Sequence, residues 1–235
     1  MEFYKLQATG NDFILTFDEI DESKVSLYCN RNFGIGGDGL IHLHENQIKI
    51  YNADGSKAKM CGNGMRCVCK LLTYLTNKNE HKVYIEHDEI KLTQVDDDTA
   101  YVLMPLPSMI QYLKGYYVSL LNYHYILITN NLNQCVFDES LIQLSNQKKC
   151  NIHFVEIINK RQVKMKTYEY GVYETKSCGS GAMAVFFSLY MLDKVENSIE
   201  VLQQGGKVKC FMKNQQYFLQ GEVKLLYKGE IINGI

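Results

Sequence analysis

Residues 59–69 read KMCGNGMRCVC, and residues 176–186 read KSCGSGAMAVF. The two stretches superpose at an offset of 117 residues, and the correspondence runs without a gap over 48–75 and 165–192. Tyr51 falls on Tyr168, Lys59 on Lys176, Cys61 on Cys178, Gly62 on Gly179, Gly64 on Gly181 and Leu72 on Leu189, while Asn52 falls on Glu169. Each copy reads strand, loop, Cys-Gly-x-Gly, apolar helix. Two apolar helices can resemble each other by chance, but chance does not explain Cys-Gly-x-Gly in front of both. The repeat predicts a duplication, hence two similar domains facing each other across a cleft.

Working outward, strand signals are frequent and rich in Ile, Val, Tyr and Phe: 13–17, 47–52, 82–87, 123–129, 153–158, 162–170, 207–212 and 222–230. Helical patterns are fewer, at 20–31, 63–76, 137–145 and 180–193. The mixture predicts an α+β fold dominated by strands. The only two prolines, Pro105 and Pro107, follow the strand-like TAYVLM and place a boundary near residue 110.

Composition narrows the function. The chain has 235 residues, 46% hydrophobic, and a formal charge of −1, which gives no electrostatic footprint for nucleic acid or an anionic membrane. No apolar run approaches the roughly 20 residues of a membrane span, and the first residues lack the organisation of a signal peptide. A cytoplasmic location is expected. The eight cysteines, spread from Cys29 to Cys210, do not form a disulfide framework, and most are read as small buried hydrophobes.

A helix that starts at Cys-Gly-x-Gly has open backbone N–H groups and the positive end of its dipole at one point. Such a terminus suits a carboxylate or phosphate, and its field is expected to lower a cysteine pKa from roughly 8.5 toward neutrality. Two such thiols fit racemisation at an amino-acid α-carbon, one removing the α-proton while the other supplies one from the opposite face. The rivals are weaker. Cys61-x₅-Cys67-x-Cys69 lacks the paired spacing of a zinc site, so no metal is expected. GIGGDG at 34–39 matches the dinucleotide-binding spacing, but a helix-like segment precedes it where a strand is required; it is read as a sharply turning loop.

ATGNDFIL, GIGGDGLI, YNADGSKAKMCGNGMRC and CGSGA, in that order between residues 8 and 182, closely resemble diaminopimelate epimerases, a family of cofactor-independent two-cysteine enzymes. The resemblance implies two pseudo-symmetric domains, each a curved β-sheet wrapped around a central helix, with the closing strand returning to the first domain. The expected domains are therefore 1–110 with 221–235, and 111–220. It implies Cys61 and Cys178 as the catalytic pair, with Glu169 and His124 as further catalytic groups. It assigns substrate binding to Asn11, Asn52, Gly62, Asn63, Asn122, Asn151, Tyr170, Gly179 and Ser180, with no cofactor. The expected partner is a small-molecule amino acid, without nucleic acid or membrane, and a homodimer is compatible with such a chain. Plainer readings stand beside these. Asn11 and Asn52 suit turns, His124 suits a satisfied core position, Glu169 suits a solvated charge, and His153 is read as structural.

The sequence also departs from the family. The resemblance implies an arginine for the distal carboxylate of diaminopimelate where this chain has Tyr170, a glycine where it has Tyr173, and a proline where it has Tyr123. A guanidinium fork suits a carboxylate; a single phenol does not. The expected pocket is more aromatic and less cationic, and it favours another amino acid, such as histidine, over diaminopimelate. True diaminopimelate epimerisation is the alternative within the class, and a non-catalytic amino-acid-binding protein the alternative outside it.

Overall fold

A computed structural model describes residues 1–120 and 122–232. The chain forms two compact units, Met1–Val102 with the segment from Gly221 onward, and Leu103–Gln220. Residues 233–235 of the expected C-terminal extension lie outside the described residues.

The first unit contains β1 (Glu2–Ala8), β2 (Asn11–Thr16), α1 (Val25–Cys29), β3 (Gly39–His44), β4 (Gln47–Asn52), β5 (Lys57–Ala58), α2 (Gly62–Thr76), β6 (Glu80–Ile85), β7 (Asp88–Asp96) and β8 (Thr99–Met104), together with the last strand, Lys224–Glu230. β1 pairs antiparallel with β2 and with the last strand. β2 runs parallel to β3, which turns back antiparallel into β4. β4 then meets β6 in parallel, and β6, β7 and β8 form an antiparallel meander. Helix α2 touches β1, β2 and the last strand on one side and β6 and β7 on the other. These strands come from opposite ends of the series, so the sheet wraps the helix. The wrapped face is Met65, Cys67, Val68, Cys69 and Leu71, all buried.

The second unit contains β9 (Ser108–Tyr112), β10 (Gly115–Leu120), β11 (Asn122–Thr129), α3 (Glu139–Lys148), β12 (Cys150–Asn159), β13 (Gln162–Glu169), β14 (Tyr173–Thr175), α4 (Gly179–Met191), β15 (Ser198–Gln203), β16 (Gly206–Lys213) and β17 (Gln216–Glu222). Its wiring repeats that of the first. β11 runs parallel to β12, which turns back into β13, and β13 meets β15 in parallel. Helix α4 lies against β10, β11, β12, β15 and β16. From Gly179 to Leu189 every residue of α4 is buried, which explains why it shows no polar face. The duplication seen in the sequence is thus a duplication of topology, and the fold is α+β.

One expected element shrinks. The helix predicted over 20–31 is a 3₁₀ turn, Glu22–Lys24, followed by the five-residue α1. Asp21 caps the turn by accepting the Ser23 N–H, and Asn30 accepts the N–H groups of Asn32 and Phe33, both at 2.9 Å. Such local side-chain bonds offer the backbone an alternative to continuing the helix. Among the described residues no helix is long and apolar enough to cross a membrane.

Candidate active site

Both Cys-Gly-x-Gly segments form the same local structure. Cys61 is the N-cap of α2, with φ −140° and ψ 107°, and its Sγ accepts the Gly64 N–H at 3.3 Å. Cys178 is the N-cap of α4, with φ −131° and ψ 109°, and its Sγ accepts the Gly181 N–H at 3.3 Å. The first intrahelical bonds are Met65 N–H to Cys61 O and Ala182 N–H to Cys178 O. The first-turn groups at Gly62, Asn63, Gly179 and Ser180 therefore precede the helical ladder and suit an anion. The second glycine of each motif is required by close approach. A Cβ at Gly64 would lie 2.8 Å from Ile41 Cδ1, and one at Gly181 only 2.3 Å from His153 Cε1.

The two thiols differ in surroundings. Cys61 is partly exposed and Cys178 is buried. Burial pushes the Cys178 thiol well above its ordinary value, the Glu169 charge pushes it further, and the bonds from Ser180 and Gly181 work the other way without prevailing. This corrects the expectation of a pKa lowered toward neutrality: at Cys178 desolvation outweighs the helix terminus. The Cys178 N–H is held by Gln203 Oε1 at 2.7 Å. Cys67 and Cys69, buried in α2, are also raised by burial, Cys69 to about 12, and behave as inert core thiols.

In the first unit Asn11, at the start of β2, donates from Nδ2 to Asp38 Oδ2 at 2.8 Å, and its Oδ1 accepts from Asn63 Nδ2 at 3.4 Å. Asn11 and Asn63 thus come together although 52 residues apart. Asn52 Nδ2 donates to Ser56 Oγ at 2.9 Å inside the turn that leads to β5.

In the second unit Glu169 ends β13, and its Oε1 accepts the Thr175 hydroxyl at 2.6 Å. Asn151 Oδ1 accepts the Tyr170 N–H at 3.0 Å, tying β12 to the hairpin Glu169–Tyr173. His124 stands opposite Asn151 in the β11–β12 register, and Asn122 begins β11. His124 is fully buried; its Nδ1 meets His153 Nε2 at 2.9 Å, and His153 Nδ1 meets Thr167 Oγ1 at 3.0 Å. One nitrogen of each ring and Cys178 Sγ lie within 4.8 Å of one another. The 2.9 Å contact between the two rings has the length of a hydrogen bond. Tyr123, Tyr170 and Tyr173 are 45%, 42% and 70% exposed, so all three rings face solvent.

Several residues around these groups escaped the sequence reading. Asp38 lies inside GIGGDG and bonds Asn11. Arg31 joins Asp38 to Asp12, and buried Lys5 pairs with Asp12 at 2.7 Å. Arg66, fully buried on α2, donates to Asn63 Oδ1 and Thr9 Oγ1, both at 3.0 Å. Asp38 and Arg66 sat within quoted motifs. A charged residue between glycines, and an arginine flanked by Met65 and Cys67 on the buried face of α2, are the available signals.

Known proteins resemble this chain over nearly its whole length. The family model described as diaminopimelate epimerase matches residues 3–110 and 117–226. Diaminopimelate epimerases of Prochlorococcus marinus and Campylobacter jejuni are each 33% identical to this chain, covering 97% of it and 98% of their own length. Among solved structures, a predicted epimerase from Pseudomonas aeruginosa superposes with a TM-score of 0.85 at 12% identity, covering 99% of both chains. A hydroxyproline epimerase from Agrobacterium vitis, with bound trans-4-hydroxy-L-proline, superposes at 0.71 and 12% identity, over 98% of this chain and 90% of that one. These two likenesses are of fold.

Proposed function

The chain belongs to the diaminopimelate epimerase family of amino-acid racemases and epimerases, and from that premise we propose that it inverts an α-carbon by a two-thiol route through Cys61 and Cys178. The observation that carries this reading is the paired N-cap: two thiols, each bonded to the N–H three residues on, each at a helix start suited to a carboxylate. In one direction Cys61, as thiolate, takes the α-proton and becomes a thiol. Cys178, whose surroundings favour the thiol form, gives its proton to the opposite face and becomes a thiolate. The reverse reaction exchanges the roles. Gly62, Asn63, Gly179 and Ser180 offer first-turn N–H groups to the carboxylate as charge builds on it in the carbanion-like transition state. The route needs no cofactor.

For the substrate we favour an amino acid with one carboxylate and a ring-bearing side chain, histidine being the first to try. Tyr170 supports this, since its phenol replaces the guanidinium fork that would pair a distal carboxylate. Lys166, on the strand β13 that leads into Tyr170, is engaged with Glu174 and the Phe137 ring. Diaminopimelate is the second reading, favoured by the names of the full-length relatives.

The test is solvent-deuterium uptake at the α-carbon, followed by NMR under reducing conditions with both histidine enantiomers, LL- and meso-diaminopimelate and the common amino acids. Uptake with histidine or another single-carboxylate amino acid supports the first reading, and uptake with diaminopimelate alone supports the second. No uptake with any of them overturns the enzymatic proposal in favour of an amino-acid-binding protein.

A further inference from the structure

The glycine loop 34–39, set aside as a nucleotide motif, carries Asp38 before its last glycine, and Asp38 is one link of a hydrogen-bond chain with a fixed direction. Arg66 donates to Asn63 Oδ1 at 3.0 Å, Asn63 Nδ2 donates to Asn11 Oδ1 at 3.4 Å, and Asn11 Nδ2 donates to Asp38 Oδ2 at 2.8 Å. Arg31 then holds Asp38 Oδ1 at 2.8 Å and grips Asp12 with both terminal nitrogens, at 2.6 and 3.1 Å. Lys5 closes the chain on Asp12 at 2.7 Å and also donates to Gly36 O. A Cβ at Gly37 would stand 2.8 Å from Lys5 Nζ, so the loop's small residues let the buried lysine reach its partners.

The ends of this chain dictate the middle. A guanidinium has only donors, so Asn63 must turn its carbonyl oxygen to Arg66; a carboxylate has only acceptors, so Asn11 must turn its amide nitrogen to Asp38. The bond between the two asparagines can then run only from Asn63 to Asn11. Asp38 is reinforced in this role because it also accepts the Asp12 N–H at 3.1 Å.

We infer that Arg31 and Asp38 are positioning residues for substrate binding: they fix the amide of Asn11, against the Asn63 amide that Arg66 orients beside Cys61, in the orientation that offers N–H groups to a carboxylate. The clause that a substrate carboxylate is what these amides meet rests on the proposed function; the orientation itself does not. A carboxylate carries acceptors only, so a flipped asparagine would set oxygen against oxygen. Arg31 and Asp38 are both exposed enough to be replaced without opening the core, at 59% and 40% side-chain exposure.

The experiment has two arms, on Asp38→Asn, Arg31→Met and Asn11→Ala, the double variant Asn11→Ala/Asp38→Asn, and the swapped pair Asn11→Asp/Asp38→Asn. The first arm follows the Asn11 side-chain amide in a ¹⁵N–¹H correlation spectrum of the full chain. Its signals move and lose exchange protection in Asp38→Asn and Arg31→Met; signals unchanged in both overturn the inference whatever the enzyme does. The second arm measures KM and kcat on whichever amino acid gives the greatest deuterium uptake. Asp38→Asn and Arg31→Met each raise KM about tenfold with kcat nearly unchanged, the pattern of lost uniform binding. The double variant is no worse than Asn11→Ala alone. The swapped pair restores a hydrogen bond, and with it thermal stability, but leaves KM high because residue 11 then faces the carboxylate with oxygens. Full rescue of KM by the swap, or additive single effects, overturns the positioning role. If no amino acid is turned over, the functional proposal fails while the amide signals still decide the inference.

Discussion

His124 Nδ1 and His153 Nε2 lie 2.9 Å apart in a fully buried pair, and burial holds both rings neutral, His124 down to about 3 and His153 well below its usual range. In the unfolded chain each ring takes a proton near its ordinary 6.5. Below that pH the unfolded state binds more protons than the native one, so stability present at neutral pH declines as the pH falls from about 6.5 toward 3. The slope approaches about 1.4 kcal/mol per pH unit for each histidine. Urea unfolding at a series of pH values checks this. His153→Gln is expected to flatten the acid limb, and an unchanged limb would mean that other groups control it.

The same pair makes the two motif glycines unequal. At Gly181 a methyl group would meet a ring carbon of His153 at 2.3 Å, within a hydrogen-bonded pair that has no room to turn. At Gly64 the obstacle is Ile41 Cδ1 at 2.8 Å, the free end of a side chain that can rotate. Gly181→Ala is expected to cost about 1–3 kcal/mol as overpacking and to suppress α-proton exchange, with Gly64→Ala distinctly milder on both. Denaturant titration and deuterium uptake on the two variants give the comparison; equal effects would contradict the role assigned to His153.

Thiol reactivity should rank by surroundings. Cys61 is partly exposed and is expected to be alkylated before Cys178, Cys67 and Cys69. Cys178 is slow at neutral pH and quickens as the pH rises, because only the thiolate reacts and its pKa is held high. Cys67 and Cys69 are labelled only on unfolding. Glu169→Gln removes the charge that opposes ionisation, so Cys178 should be labelled faster at a given pH. Peptide mapping after timed alkylation measures all four, and an unaltered Cys178 rate in Glu169→Gln would show that burial alone sets its acidity.

These contrasts mark what the sequence made legible. The duplication, the helices α2 and α4 and their cysteine starts lie in local spacing: the expected 63–76 and 180–193 are observed as Gly62–Thr76 and Gly179–Met191. Strand β4 was read at 47–52, where it stands. Strands β3 and β7 lie outside the strand reading, although the alternation of β7 is a strand signal that the sequence offers. What spacing could not carry was any property of tertiary contact. Asn11, Asp38 and Asn63 meet from three elements, and the acidity of Cys178 depends on how completely α4 is wrapped. Helix-terminus reasoning supplied the sign of the local field but not the larger opposing cost of burial.

Tyr170 gives the sharpest test of substrate choice. It lies in the loop of the Glu169–Tyr173 hairpin, 42% exposed, and its backbone N–H is already fixed by Asn151. Because that anchor belongs to the backbone, Tyr170→Arg keeps it, and the exposed side chain gives the guanidinium room. The variant should gain a fork able to pair a second carboxylate. A charge-assisted bond contributes about 1.5–3 kcal/mol, or roughly 10- to 100-fold in affinity. The expected outcome is that Tyr170→Arg lowers KM for diaminopimelate by about that factor and leaves single-carboxylate amino acids unimproved. Steady-state kinetics on both substrate classes decide it. If wild type already binds diaminopimelate tightly and the arginine adds nothing, the distal carboxylate is met elsewhere, and the tyrosine at 170 does not set the substrate.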